Sequence, residues 1–376
     1  MQYILLKKTI QLYFTISYNK YIRYYKLKSG ENMINEIKRR NVPDFFVQDG
    51  KKITSLEQWE RKRKELKELF LKEEYGYFPN KIEPSVKVEK YHISFAGKAE
   101  WENIYFTFEN QGKSHTVKAS LILPKGKKNV PVFVSINFER EIPNKYLPTE
   151  EIIDTGFGVL AFCYKDVTED DNDFSNGLAG LFERNGKSSF SKISLWAYFT
   201  SICMDYLCTR DEVDKENVAI IGHSRLGKTA LLCSALDERF KLTCVNNSGC
   251  CGAALSRGKV DGNETLEKIT EVFPFWFCDE FYKYVGNEAS LPFDQHMLIS
   301  LVAPRYVVVG GAKEDFWADN VGQHLACALA VEAWELYEKG CANNRINYYE
   351  REGTHFLSRT DWIVYMEAFK KILGGK

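Results

Sequence analysis

The chain carries no charge imbalance. Its 376 residues hold 51 basic and 51 acidic side chains, a formal net charge of zero. Nucleic-acid-binding surfaces depend on a basic excess, so a polyanionic partner is not expected. No apolar run approaches the ~18 residues that a membrane-spanning helix needs. The ten cysteines contain no CxxC pair, so no zinc site of that spacing is expected, and no metal or organic cofactor is implied. Their spacings are irregular, with Cys250 and Cys251 adjacent. Such a set reads as buried free thiols in a reducing compartment rather than a disulfide framework. Internal repeats and low-complexity segments are also lacking.

The first ~32 residues lack what an export signal requires. Lys7 and Lys8 interrupt the apolar run, and no small-residue cleavage site follows. We therefore expect a cytoplasmic protein, with 1–32 a dispensable extension and 33–376 a single domain. The rival reading is an unusual export signal or a membrane-surface anchor, because Lys7, Lys8, Lys20, Arg23 and Lys26 alternate with aromatic residues. Oligomeric state is not legible.

What is present is ample apolar material, 44% of the chain. Thr54 or Ser55 opens a helix, each with a Glu or Gln three residues on that can close a capping box. Leu56, Trp59, Leu66, Leu69 and Phe70 recur at helical spacing, and Gly76 and Pro79 stop the run. Residues 84–124 alternate apolar and polar side chains in three segments, as a β-meander does. After that come short apolar runs at 130–138, 158–164, 217–224, 241–247, 305–311 and 346–352. Helical segments such as ISLWAYFTSICMDYLC and RLGKTALLCSAL lie between several of them. This alternation implies an α/β fold with a mostly parallel central sheet covered by helices on both faces, preceded by the meander.

The sharpest local signal is VAIIGHSRLGKTALLCSAL. A β-rich run ends at Gly222, Ser224 follows, and an amphipathic helix begins. Strand, tight turn and helix make the nucleophile elbow of an α/β-hydrolase, with the helix N-terminus directed at a developing oxyanion. The spacing is G-x-S-x-x-G rather than G-x-S-x-G, and the plain alternative is a serine capping its helix. The elbow requires an acid and then a histidine later in the chain. Of six histidines, His355 alone lies in a glycine-containing loop just past the late strand INYYERE. VVVGGAKEDFWAD offers Glu314, Asp315 and Asp319 as the acid. Asp315 is preferred, because a short carboxylate can reach the imidazole Nδ1, and Glu314 is its rival.

Several motifs together carry a family likeness. GHSRLGK, NNSGCCGAALSRG, GNETLEKI, FPFWFC, LPFDQHMLISLVAPR, EDFWAD and GTHFLSRTDW occur in that order. The chain resembles the bacterial branch of the glucuronoyl esterases, carbohydrate esterase family 15, over roughly residues 40–373. The resemblance implies cleavage of esters between 4-O-methyl-glucuronate on xylan and a lignin alcohol. It implies a glucuronoxylan-derived ester as partner, and no cofactor. By the same likeness Ser224 is the nucleophile, His355 the base, and Arg225 brings its guanidinium to the oxyanion. Lys228, Glu264 and Trp317 match positions that contact the uronate, with Gln295 a weaker member of the set. Each has a plain alternative: a surface lysine, a helix cap and a core tryptophan. One departure stands out. Many family members carry a triad Glu where this chain has Asn247, so Asp315 must then serve. The competing functions are an acetylxylan or related carbohydrate esterase using the same triad, and a non-catalytic sugar-binding relative.

Overall fold

The computed structural model describes residues 22–23, 30–48 and 50–374. Twelve strands are defined among them. Ile22–Arg23 is β1, Val47–Gln48 and Lys51–Lys52 form the small hairpin β2–β3, and Ser85–Ser94, Ala99–Asn110 and Lys113–Pro124 are β4, β5 and β6. The next six are β7 (Val130–Asn137), β8 (Gly158–Cys163), β9 (Val213–His223), β10 (Leu242–Asn246), β11 (Tyr306–Ala312) and β12 (Ile346–Arg351). Each apolar run read from the sequence is one of these last six. Ten strands make one sheet in the order β1-β12-β11-β10-β9-β7-β8-β6-β5-β4. From β8 to β12 every neighbouring pair is parallel, while the meander β4–β6 and the edge strand β1 join antiparallel. The sheet is mostly parallel and the fold is that of the α/β-hydrolases.

Strand side chains divide between two layers by simple alternation. Val218 and Ile220 face one core, which the helices Lys192–Cys208, Arg225–Leu236 and Asn320–Glu335 complete with Trp196, Leu232 and Trp334. Ala219 and Ile221 face the other, built with Ile152 of one helix and Trp362, Tyr365 and Phe369 of Arg359–Gly374. Burial on both faces is why β9 reads as a continuous apolar run rather than an alternating one. From β7 the chain runs to β8 on one side and β9 on the other. The crevice at the carboxyl ends of such a reversal is where α/β sheets bind ligands, and β9 ends there at His223.

Ahead of the sheet, Ser55 rather than Thr54 forms the capping box, with Gln58, and its helix runs Leu56–Phe70 before a π-helical turn, Leu71–Tyr75. The helix Gly30–Arg40 buries Met33, Ile34 and Ile37. Its Arg40 reaches Asp319 with two hydrogen bonds of 2.8 and 3.0 Å, and Lys259 joins the same carboxylate at 2.9 Å. Burial alone would raise the Asp319 carboxyl, but Lys259 and Arg40 outweigh it and bring it down to about 2.

Within 1–32, Ile22 and Arg23 pair antiparallel with Arg351 and Glu350 at the sheet edge, and 30–32 open the Gly30–Arg40 helix. The rest of the expectation about that extension lies outside the described residues. A two-residue edge pairing contributes little. A chain starting at Met33 should therefore keep its melting temperature within about 3 °C of the full chain. Arg40→Ala in the full chain should cost roughly 3 kcal/mol, because it strips partners from a buried carboxylate. Thermal unfolding checks the first and urea unfolding the second. The Asp319 contribution should be complete above about pH 4 and fade as pH falls towards 2, since its folded pKa is depressed. Equal loss of stability on truncation would show that the extension is part of the domain. None of the described helices is long and apolar enough to cross a membrane.

Candidate active site

Ser224 sits between β9 and the helix Arg225–Leu236 with φ +56° and ψ −127°, a conformation that non-glycine residues rarely adopt. The turn is held from both sides. Its N–H donates to Asn246 O at 2.9 Å, and its own carbonyl accepts from Gly227 N at 2.9 Å. The two glycines of the motif have different jobs. A Cβ on Gly222 would lie 1.9 Å from Leu226 O, and one on Gly227 would lie 3.0 Å from the Ser248 Cβ. Gly222 is thus required where the helix crosses its strand, and Gly227 where the end of β10 comes up against the helix. Ser224 makes no side-chain capping bond, so the plain reading as an N-cap does not describe this serine.

His355 lies on the loop after β12 and donates through Nδ1 to Asp315 Oδ2 at 2.6 Å. A buried carboxylate beneath an exposed imidazole keeps Nδ1 occupied and leaves Nε2 to face outward. Burial alone would raise the Asp315 carboxyl, yet hydrogen bonds from His355 and Asn247 and the His355 charge hold it below its ordinary value. The neighbouring Glu314 is exposed. The His355 ring centroid is 4.6 Å from that of His223, the residue just before Ser224. That contact sets the imidazole beside the elbow. His223 itself is buried, bonds Asn246 Oδ1 at 2.7 Å, and is pushed down to about 3 by burial and by His355. It stays neutral at working pH.

Beyond the elbow a charged cluster gathers. Arg225 pairs with Asp170 through Nη1, and its guanidinium lies 4.9 and 4.7 Å from the ring centroids of Phe273 and Trp276. Among the described residues its Nε has no hydrogen-bond partner. One turn on, Lys228 donates to Ser248 O at 2.5 Å and lies 3.7 Å from Glu264 Oε2. Both side chains are buried, so Lys228 is no surface lysine. Thr265, not Glu264, caps the helix Leu266–Val272. Glu264 N–H donates to Trp317 O at 3.0 Å, and the Trp317 side chain is 45% exposed rather than core.

The family model described as "Glucuronyl esterase, fungi" matches residues 106–338. The chain is 33% identical to a carbohydrate esterase of an unknown prokaryotic organism, over 88% of this chain and 89% of that one. The chain belongs to the glucuronoyl esterase family. A 4-O-methyl-glucuronoyl methylesterase of Schizophyllum commune is 29% identical over 85% of this chain and 78% of its own. Among solved structures, a promiscuous esterase of carbohydrate esterase family 15 from a marine bacterial metagenome superposes with a TM-score of 0.79. It is 31% identical and is covered over 96% of its length by 88% of this chain. The glucuronoyl esterase of Solibacter usitatus gives 0.79 at 27% identity, with 88% of this chain on 97% of that one.

Against the glucuronoyl esterase pattern, two positions need separate treatment. Gln295 is fully buried at the start of the helix Gln295–Ser300, and its amide donates to Glu74 at 3.0 and 3.1 Å. The expectation that it contacts the uronate needs correction, because it presents no surface to a ligand. Burial pushes the Glu74 carboxyl well up, partly offset by the hydrogen bonds from Gln295. Asn247, the position where the family likeness leads one to expect a glutamate, contacts the Asp315 side chain. It has φ +45°, and its Nδ2 donates to Asp315 Oδ2 at 2.6 Å. Sequence reasoning missed Asp170, which gathers the Arg225 pair, the Tyr164 hydroxyl at 3.0 Å and the Trp276 indole at 2.7 Å. The acidic run TEDDND was the available signal, since a half-buried arginine needs a counter-ion.

Proposed function

We propose that this enzyme hydrolyses esters of glucuronate, 4-O-methyl-glucuronate on xylan in particular, through a Ser-His-Asp acyl-enzyme. The observation that carries the reading is the Asp315–His355 pair set beside the Ser224 elbow, with Arg225 next in the chain and the Lys228–Glu264 pair one helix turn on. Relatives named 4-O-methyl-glucuronoyl methylesterase supply the substrate class. Ser224 Oγ attacks the ester carbonyl carbon as His355 Nε2 takes its proton. Asp315 holds the tautomer and stabilises the imidazolium. The oxyanion forms at the helix N-terminus by Arg225, where a charged donor matches the growing negative charge. Collapse expels the alcohol, which takes the proton back from His355. Water then repeats the sequence on the acyl-enzyme and releases glucuronate.

Lys228 and Glu264, buried together, are suited to hydrogen-bond sugar hydroxyls, and the exposed Trp317 offers a ring to the C–H face of a sugar. Lys228→Ala and Glu264→Gln should lower kcat/KM for methyl glucuronate by about 10–100-fold and leave a simple acetate ester nearly unchanged. Equal losses on both esters would make these residues structural. A broader ester range is the second reading, favoured by the solved relative described as promiscuous. Rates on acetylated xylose comparable to those on methyl glucuronate would select it.

A further inference from the structure

We infer that Arg351 is a positioning residue that fixes the loop carrying His355; the inference rests on His355 serving as the base. That loop has a problem to solve. The His355 side chain is 42% exposed, and Glu352 and Thr354 on its N-terminal side are exposed as well. Packing alone does not pin such an imidazole, yet a base displaced by about 1 Å can lose 10²-fold in rate.

Arg351, the last residue of β12 and itself buried, supplies the missing constraint. Its Nη1 donates to Glu352 O at 2.9 Å, and its Nη2 donates to Thr354 O at 3.2 Å and to Phe356 O. The carbonyls on either side of His355 therefore converge on one guanidinium. The Nε donates to Asp361 Oδ2 at 2.7 Å. Asp361, wholly buried in the following helix, also accepts from Ser358 N and Oγ, each at 2.7 Å, and from Tyr349 OH at 2.7 Å. One ion pair thus closes both ends of the loop. The same segment is stitched to the acid loop, since Lys313 N donates to Arg351 O at 2.9 Å and Glu314 N to Gly353 O at 3.1 Å. Base and acid are held in one frame.

The geometry explains why arginine stands here. Three carbonyls and a carboxylate lie around it in a fan, and a planar fork with five fixed donors meets them at once. A lysine keeps the charge that Asp361 needs but has a single nitrogen, which cannot bridge both sides of His355.

Arg351→Lys is therefore the deciding variant. On methyl glucuronate it should lower kcat by about 10–100-fold with KM within about twofold of the parent. Rates are counted per active site titrated with a fluorophosphonate. The low-field proton resonance of the short His355–Asp315 bond should broaden or vanish in the same variant. A merely structural arginine would lower the melting temperature and leave both readouts intact in the folded fraction, which overturns the proposal. If Arg351→Lys does not fold, Ser358→Ala reads the same clamp from its far end. There a kcat within error of the parent, with the resonance unchanged, overturns it equally. Parent enzyme inert towards methyl glucuronate would sink the function proposed above, while the resonance would still report on the clamp.

Discussion

Ser224→Ala should remove glucuronate ester hydrolysis by about 10⁴-fold or more and leave the fold in place. The expected size follows from the chemistry. Without Oγ there is no nucleophile for His355 to activate, and only the oxyanion donors and binding contacts remain. The fold survives because the substitution keeps the Cβ and every backbone bond of the turn. Ser224 N still reaches Asn246 O, and Gly227 N still reaches the residue 224 carbonyl. The side chain caps nothing, so no helix-terminal bond is lost. An alanine is expected to keep the φ of +56° that Ser224 has. Ser224→Gly removes the same activity but relieves the strained backbone, and should gain roughly 1 kcal/mol. Turnover of methyl glucuronate and urea unfolding of the three proteins test this. Activity of the alanine variant near that of the parent, with an unchanged dichroism spectrum, would remove Ser224 from the mechanism.

Much of the architecture was legible because burial on both faces leaves a plain mark. Runs such as VAII and YVVV are apolar at every position only when a strand is covered above and below. The serine motif was legible for a related reason: a glycine is required wherever a helix backbone passes within contact of its strand. Gly222 meets that condition at Leu226 O. Loop geometry left no such mark. Glu314 and Asp315 are adjacent carboxylates, and which of them turns inward depends on how Asp315 N bonds Ala312 O and Glu314 N bonds Gly353 O. Those are backbone bonds, indifferent to side-chain identity. The Arg351 clamp was invisible for the same reason, since its partners on the loop are carbonyls that any residue provides. Gln295 misled because an amide in a motif looks like a sugar ligand, whereas its partner Glu74 lies 221 residues away and only the fold encloses the two together.

The acid assignment makes the second large prediction. Asp315→Ala should lower kcat by roughly 10²–10⁴ with little change in KM, because it removes tautomer control and imidazolium stabilisation without touching the sugar. Glu314→Ala should stay within about twofold of the parent, its side chain being exposed. The reverse pattern would show that the wrong carboxylate has been chosen. Asn247 sharpens the test. The family likeness first suggests that Asn247→Glu would restore an alternative acid, but the structure puts the Asn247 amide 2.6 Å from Asp315 Oδ2. A glutamate there would bring two carboxylates together in a buried site, and two such groups cannot both ionise freely. In the parent, Asp315 lies below its ordinary value and is charged throughout the neutral range. In Asn247→Glu the shared pair would hold a proton to higher pH, and as pH falls through that raised value the pair keeps one negative charge shared with residue 247, so imidazolium stabilisation would weaken. The acid limb of kcat/KM should therefore move to higher pH, with activity at neutral pH reduced. A pH profile that overlays the parent would mean that the new carboxylate avoids Asp315, and that the amide contact does not govern the acid.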